Sequence, residues 1–353
     1  FYYTPPSGFL ALCTDNLSAP EIKLPGDHFN TILFDDGSGA KTGVGFQPDL
    51  VWLKSRGSAY EHELTDSVRG TTKALSSDST NAESTDSTGL TAFGADGFTV
   101  GADTNYSDTT GTGMVAWNWK AGGTASSNTD GSITSSVSAN TTAGFSIVGY
   151  TGNGTTAQTV GHGLSVAPEM IIIKSRSLAQ VWNVFNSPAG ITGDTILQLQ
   201  DTSGSVTGSN IGIVANASTF GMGSATQVND STETFIAYCF HSVEGYSKVG
   251  SYEGNGNADG TFIYTGFRPA YFLQKRADAT ASWLIYDDKR DSYNESDTFL
   301  RANTNDQDDS GVPIDIVSNG FKIRSSNSSI NGSGGTMLYL AFAEAPMKFA
   351  NAR

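Results

Sequence analysis

Apolar positions along the chain fall in short runs, rich in Val, Ile, Phe, Tyr and Trp and separated by clusters of Gly, Asn, Asp and Ser. No long stretch carries an i, i+3, i+4, i+7 apolar stripe free of Gly or turn residues, so the pattern argues against helices. Such runs, set between turn dipeptides such as Asp96-Gly97, Asp130-Gly131, Asp259-Gly260 and Asn319-Gly320, predict short strands joined by tight turns.

The runs also recur in a fixed order. Pro48-Asp49-Leu50-Val51-Trp52-Leu53-Lys54, Pro168-Glu169-Met170-Ile171-Ile172-Ile173-Lys174 and Pro269-Ala270-Tyr271-Phe272-Leu273-Gln274-Lys275 each place a Lys six residues after a Pro. An aromatic pair follows in two copies (Trp182 and Phe185, Trp283 and Tyr286), with Tyr60 as a weak counterpart in the first. Next come Gly97-Phe98-Thr99-Val100, Thr219-Phe220-Gly221-Met222 and Gly320-Phe321-Lys322-Ile323. Each copy closes on an apolar run: Met114–Trp117, Phe235–Tyr238 and Leu338–Phe342. The prolines lie 120 and 101 residues apart, which marks an internal repeat.

The expected fold is all-β: three tandem antiparallel β-sandwich, jelly-roll-like repeats of about 100 residues, with the Trp and Tyr rings between the two sheets of each copy. Residues 1–28 match no copy and read as the end of a preceding domain plus a connector. The copies are then expected at 29–120, 145–245 and 246–353, with 121–144 a Ser/Thr/Gly-rich linker or long surface hairpin. Residues 78–89, rich in Ser, Thr and Asp, read as an exposed loop.

Charge narrows the function. With 20 Lys and Arg against 35 Asp and Glu, the net charge of −15 opposes nucleic acid and anionic membrane surfaces. No apolar run approaches the ~18 residues of a membrane-spanning helix. The two cysteines, Cys13 and Cys239, lie in unlike apolar contexts and read as free thiols.

Catalytic signatures are missing. The four histidines (His28, His62, His162, His241) fall at unrelated places in the repeat, in no metal-ligand spacing, and there is no C-x-x-C, G-x-S-x-G or P-loop. Adjacent acids such as Asp287-Asp288 read as solvated turns, not as carboxylates set across a glycosidase cleft. Asp306-Gln307-Asp308-Asp309-Ser310-Gly311 has the start of a calcium loop, which makes Asp306, Asp308 and Ser310 a candidate cation site. Its twelfth position, however, is Val317 rather than an acid.

Two recurrent features invite a binding role. Lys54, Lys174 and Lys275, with Arg56, Arg176 and Arg276, could contact an anion three times over. They could equally be strand ends emerging into solvent, or partners of Asp66 and Asp287. Trp117 and Trp119 alternate along one strand, so both lie on one face, a carbohydrate platform if that face is exposed. Trp52 sits within an apolar run and reads as core.

Several motifs resemble repeat-bearing virion surface proteins of tailed, often marine, bacteriophages. They are Phe46-Gln47-Pro48-Asp49-Leu50-Val51-Trp52-Leu53-Lys54, Asp66-Ser67-Val68-Arg69-Gly70, Val115-Ala116-Trp117-Asn118-Trp119-Lys120-Ala121-Gly122-Gly123, Tyr264-Thr265-Gly266-Phe267-Arg268-Pro269 and Ala341-Phe342-Ala343-Glu344-Ala345-Pro346. Tyr3-Thr4-Pro5-Pro6-Ser7-Gly8-Phe9-Leu10 resembles the end of a SPRY/concanavalin-like sandwich, which implies an N-terminally incomplete chain. The resemblance implies a non-enzymatic tail or head fibre at the virion surface, adhering to host glycan and trimeric as fibres commonly are, without cofactors. Alternatives are a structural decoration protein contacting other virion proteins, and a polysaccharide-degrading tailspike. Three copies in one chain could instead supply a pseudo-threefold within a monomer.

Overall fold

The computed structural model describes residues 6, 7, 9, 13, 16, 19–35, 37–108, 111 and 113–350. Most of the opening segment that resembles a SPRY-like end lies outside them. Nearly all regular structure is antiparallel strand, as the run pattern predicts.

Each copy contributes a large sheet with the same core order of opening, closing, central and return strands. In copy 1 these are Phe29–Phe34, Met114–Trp119, Leu50–Ser55 and Glu63–Asp66. Their counterparts in copy 2 are Phe145–Thr151, Thr234–Phe240, Met170–Ser175 and Asn183–Asn186. Copy 3 uses Ser247–Glu253, Thr336–Pro346, Phe267–Arg276 and Leu284–Asp287. A three-stranded sheet covers one face of each, centred on Gly97–Val100, Thr219–Met222 and Gly320–Ile323. These are the recurrent landmarks of the sequence, and each copy is sandwich-like.

Tyr106, Tyr150 and Tyr286 lie between the two sheets of their own copies, but the Trp rings do not sit where separate sandwiches would put them. Side chains alternate across a strand, so each central run feeds two cores. Val51 and Leu53 pack toward the small sheet with Phe98, and Ile171 and Ile173 do so with Phe220. Their neighbours Leu50, Trp52, Met170 and Ile172 face the other way. They enter one shared core with Trp117, Trp119, Trp182, Tyr238, Tyr271, Trp283, Leu340 and Phe342, drawn from all three copies. The centre is packed down to a void of about 10 Å³ lined by Leu50, Trp119, Tyr238, Tyr271 and Leu340 among others. Three separate hydrophobic layers thus surround a common one, and the copies are fused rather than strung in tandem.

Two boundary expectations change. Of the two readings of residues 121–144 the hairpin holds and the linker does not: Ser126–Asn128 and Ser135–Asn140 pair and extend the copy 2 sheet beside Phe145–Thr151. Ladder bonds come from the backbone, so a polar segment can pair where one face meets water, and Val137 supplies the buried contact. Residues 78–89 are likewise more than an exposed loop. They include a short strand, Ser84–Thr85, paired with Lys73–Ala74, and they turn Asp78 and Glu83 inward.

Candidate functional site

The copies meet at three seams whose bonds run in one rotational sense. The Glu83 amide donates to Arg176 O, that of Ser205 to Ala277 O, and that of Asp308 to Arg56 O, each at 2.7 Å. Copy 1 therefore bonds copy 2, copy 2 bonds copy 3, and copy 3 returns to copy 1. The ring is closed.

Indoles lock the same seams. Trp182 Nε1 donates to Ser76 O (2.9 Å) and Ser79 O (3.1 Å), and Trp283 Nε1 donates to Gln198 O (2.9 Å). Counting fourteen residues from each repeat proline, the copy 1 counterpart is His62, not Tyr60. Its Nε2 meets Arg301 O at 3.0 Å, and its Nδ1 accepts from Trp52 Nε1 at 2.9 Å. Trp52 in turn occupies the position of Ile172 and Leu273. The large ring and the smaller side chain have exchanged strands in copy 1.

The charged rows serve the same seams. Arg69, with its side chain fully buried, donates to Asp66 at 2.5 Å and to Leu64 O at 2.7 Å, while Tyr238 from copy 2 donates to Asp66 at 2.8 Å. In copy 3, Arg290 repeats this with Asp287 (2.6 Å) and Ile285 O (2.9 Å), and Trp117 from copy 1 donates to Asp287 at 3.1 Å. Glu83 is clasped by Arg176 (2.9 Å) and Arg69 (3.4 Å); Asp308 is clasped by Arg56 and Arg290, both at 2.9 Å. Copy 2 has lost the set together: Asn186 stands for the Asp and Ala189 for the Arg. Arg276 stands one residue nearer its proline than Arg56 and Arg176 do, and pairs locally with Asp278.

These facts settle where the singled-out residues lie. Trp117 and Trp119 are at most 2 % exposed, so neither offers a sugar platform. The reason is the alternation itself, which turns both toward the shared core. Lys54, Lys174 and Lys275 neither emerge into solvent nor pair with Asp66 and Asp287. Each ammonium is buried and donates to main-chain carbonyls: Ser55 O and Ser58 O, Ser175 O and Leu178 O, Arg276 O and Thr202 O. Burial pulls all three down to about 8. Asp308 spends both oxygens on arginines, and Asp306 accepts from Thr304 Oγ1 at 2.8 Å. Among the described residues no group of three or more His, Cys, Asp or Glu could hold a metal ion. Cys13 and Cys239 are unbridged, and no helix among the described residues is long and apolar enough to cross a membrane.

Among the described residues, one surface cleft, of about 700 Å³, lies where the turn between copies 2 and 3 meets the last strand. Glu21, Glu244, Lys248 and Lys348 supply charge, Ser242 supplies a hydroxyl, and Tyr264 supplies a ring that is 58 % exposed. Tyr264 and Phe262 flank buried Ile263 on the short strand Phe262–Tyr264, so both rings stand on the outer face. Sequence reasoning passed over Tyr264. The signal was three consecutive large apolar residues on a strand that had only one face to bury.

Neither the curated proteins nor the solved structures yield a match to this chain. The match to family profiles spans residues 24–346, which takes in all three copies, and the chain belongs to the family described as a domain of unknown function, DUF7483.

Proposed function

We propose that the chain is a non-enzymatic surface protein of a tailed-phage virion, a fibre-type module that adheres to host-surface glycan. The sequence motifs support the virion setting. The observation that carries adhesion is the Tyr264 cleft, where an exposed ring stands beside hydroxyl, carboxylate and ammonium groups. A sugar presents C–H faces that stack on such a ring and hydroxyls that bond such polar groups. A rigid closed ring carrying polar turns is a suitable scaffold for it. The decoration reading finds support in the same patch, since Phe262, Tyr264 and Phe349 are each at least 46 % exposed and could meet another virion chain.

One variant separates the two. Tyr264→Ala is expected to weaken binding to a panel of bacterial surface polysaccharides by about tenfold or more, as truncating a central interface aromatic does. Melting temperature should be unchanged, because the ring is largely in water. If the native chain binds no polysaccharide and Tyr264→Ala instead releases it from particles, decoration replaces adhesion.

A further inference from the structure

We propose that the seam between copies 1 and 3 is an acid-sensitive latch, opened by protonation of His62, while the other two seams are insensitive to acid. The asymmetry is structural. Two seams are locked by an indole, which donates one hydrogen bond and cannot titrate. The third is locked by an imidazole that must accept and donate at once: Nδ1 accepts from Trp52 and Nε2 donates to Arg301 O. This fixes the neutral Nε2–H tautomer. A proton on Nδ1 would set an N–H against the Trp52 N–H and break the bond between the two rings.

Burial opposes that proton, and only the bond to Arg301 O favours the charged ring. Lys54, from the central strand, and Arg290, from the turn after the copy 3 return strand, both oppose a positive charge on the ring. Trp117 stacks on its face and Trp52 meets its edge, with centroids at 6.4 and 5.9 Å. Nearby carboxylates are already committed. Asp78 accepts the His62 main-chain amide and, raised by burial to about 6, takes up a proton in the same range and offsets part of the His62 effect; Asp287 holds Arg290 and the Trp117 indole, and Asp308 is clasped by Arg56 and Arg290. The Arg301 side chain, which is also close, pairs with Asp309 and Asp306. Burial therefore holds the imidazole well below its ordinary 6.5. Opening the seam admits water and restores the ordinary value. The closed form thus binds fewer protons than the open one: closure is complete above pH 6.5 and is lost progressively below it.

The three ring-closing amides are built-in reporters, one per seam: Asp308 for the latch, Glu83 and Ser205 for the others. Hydrogen exchange on the full chain, expressed as protection factors, is expected to show Asp308 losing several-fold, up to about 25-fold, between pH 7 and pH 5. Glu83 and Ser205 should hold. In Trp52→Ile/His62→Trp, which restores the side-chain pair of copy 2, all three amides should behave alike. His62→Gln, which keeps an acceptor and a donor without a titrating ring, is expected to do the same. Equal protection of Asp308 at both pH values in the native chain overturns the latch, as does a loss of equal size at all three amides. An acid-induced loss at Asp308 that persists in either variant also overturns it, since another group would then carry the titration.

Discussion

Arg69→Ala should destabilise the folded chain by about 3–5 kcal/mol, the cost of leaving a buried charge without its partner. Asp66 is fully buried, and its side chain takes hydrogen bonds from the Arg69 guanidinium, the Tyr238 hydroxyl and the Val68 and Arg69 amides. Removing the guanidinium strips the countercharge from Asp66, a bond from Leu64 O and one of the two clasps on Glu83. The control is written in copy 2. Asp66→Asn/Arg69→Ala copies Asn186 and Ala189, a pairing that already folds within the same ring. The double variant should recover at least half of the loss, because it removes both charges rather than stranding one. Denaturant unfolding measures both. A double variant no more stable than the single would show that the charge pair itself, and not its completeness, is what the seam requires.

The second large effect is expected at Trp283. Trp283→Ala deletes a fully buried indole from the shared core and a bond to Gln198 O on copy 2, at a cost of about 3–5 kcal/mol. How the loss is distributed matters as much as its size. Because Trp283 and Trp182 belong to one hydrophobic cluster with residues of copy 1, unfolding should remain a single transition moved as a whole to lower denaturant. Independent sandwiches would give a separate early transition for copy 3, with copies 1 and 2 unmoved. Trp182→Ala, on a different seam, should behave alike.

Much of this architecture is legible in the chain. Leu50–Leu53, Met170–Ile173 and Tyr271–Leu273 read as strands because their apolar residues are β-branched or aromatic and are bounded by turns. The Pro-to-Lys spacing aligns the copies, and it also places His62 level with Trp182 and Trp283. That correspondence was available from counting and is obscured by Tyr60, a nearer aromatic. What hydropathy hides is which core a residue enters. A central strand with both faces buried shows an unbroken apolar run, so nothing in Leu50-Val51-Trp52-Leu53 says that Trp52 meets the other copies while Val51 meets its own small sheet. Lys54 misleads for a related reason. A long amine at a strand end usually reaches water, but the following turn folds back and presents carbonyls that the buried ammonium satisfies. Composition leaves the segment 121–144 undecided between linker and hairpin, because backbone pairing, not side-chain hydrophobicity, holds the hairpin. The candidate cleft was hidden differently: its lining comes from segments more than 200 residues apart, Glu21 and Lys248 among them, which only the fold assembles.

Closure of the ring between the first and last copies is the central claim, and cross-linking tests it most directly. Ala59 and Asn305 are both exposed, and Asn305 Nδ2 donates to Ala59 O at 3.3 Å although the two lie 246 residues apart in sequence. In a Cys13→Ser background, Ala59→Cys/Asn305→Cys should oxidise readily in the native state to an intramolecular disulfide, seen as faster migration on a non-reducing gel. The melting temperature should rise with it, since the bond closes a long loop in the unfolded chain. If the native chain forms no such bond, and cross-links only between molecules, copies 1 and 3 are not neighbours and the closed ring is wrong.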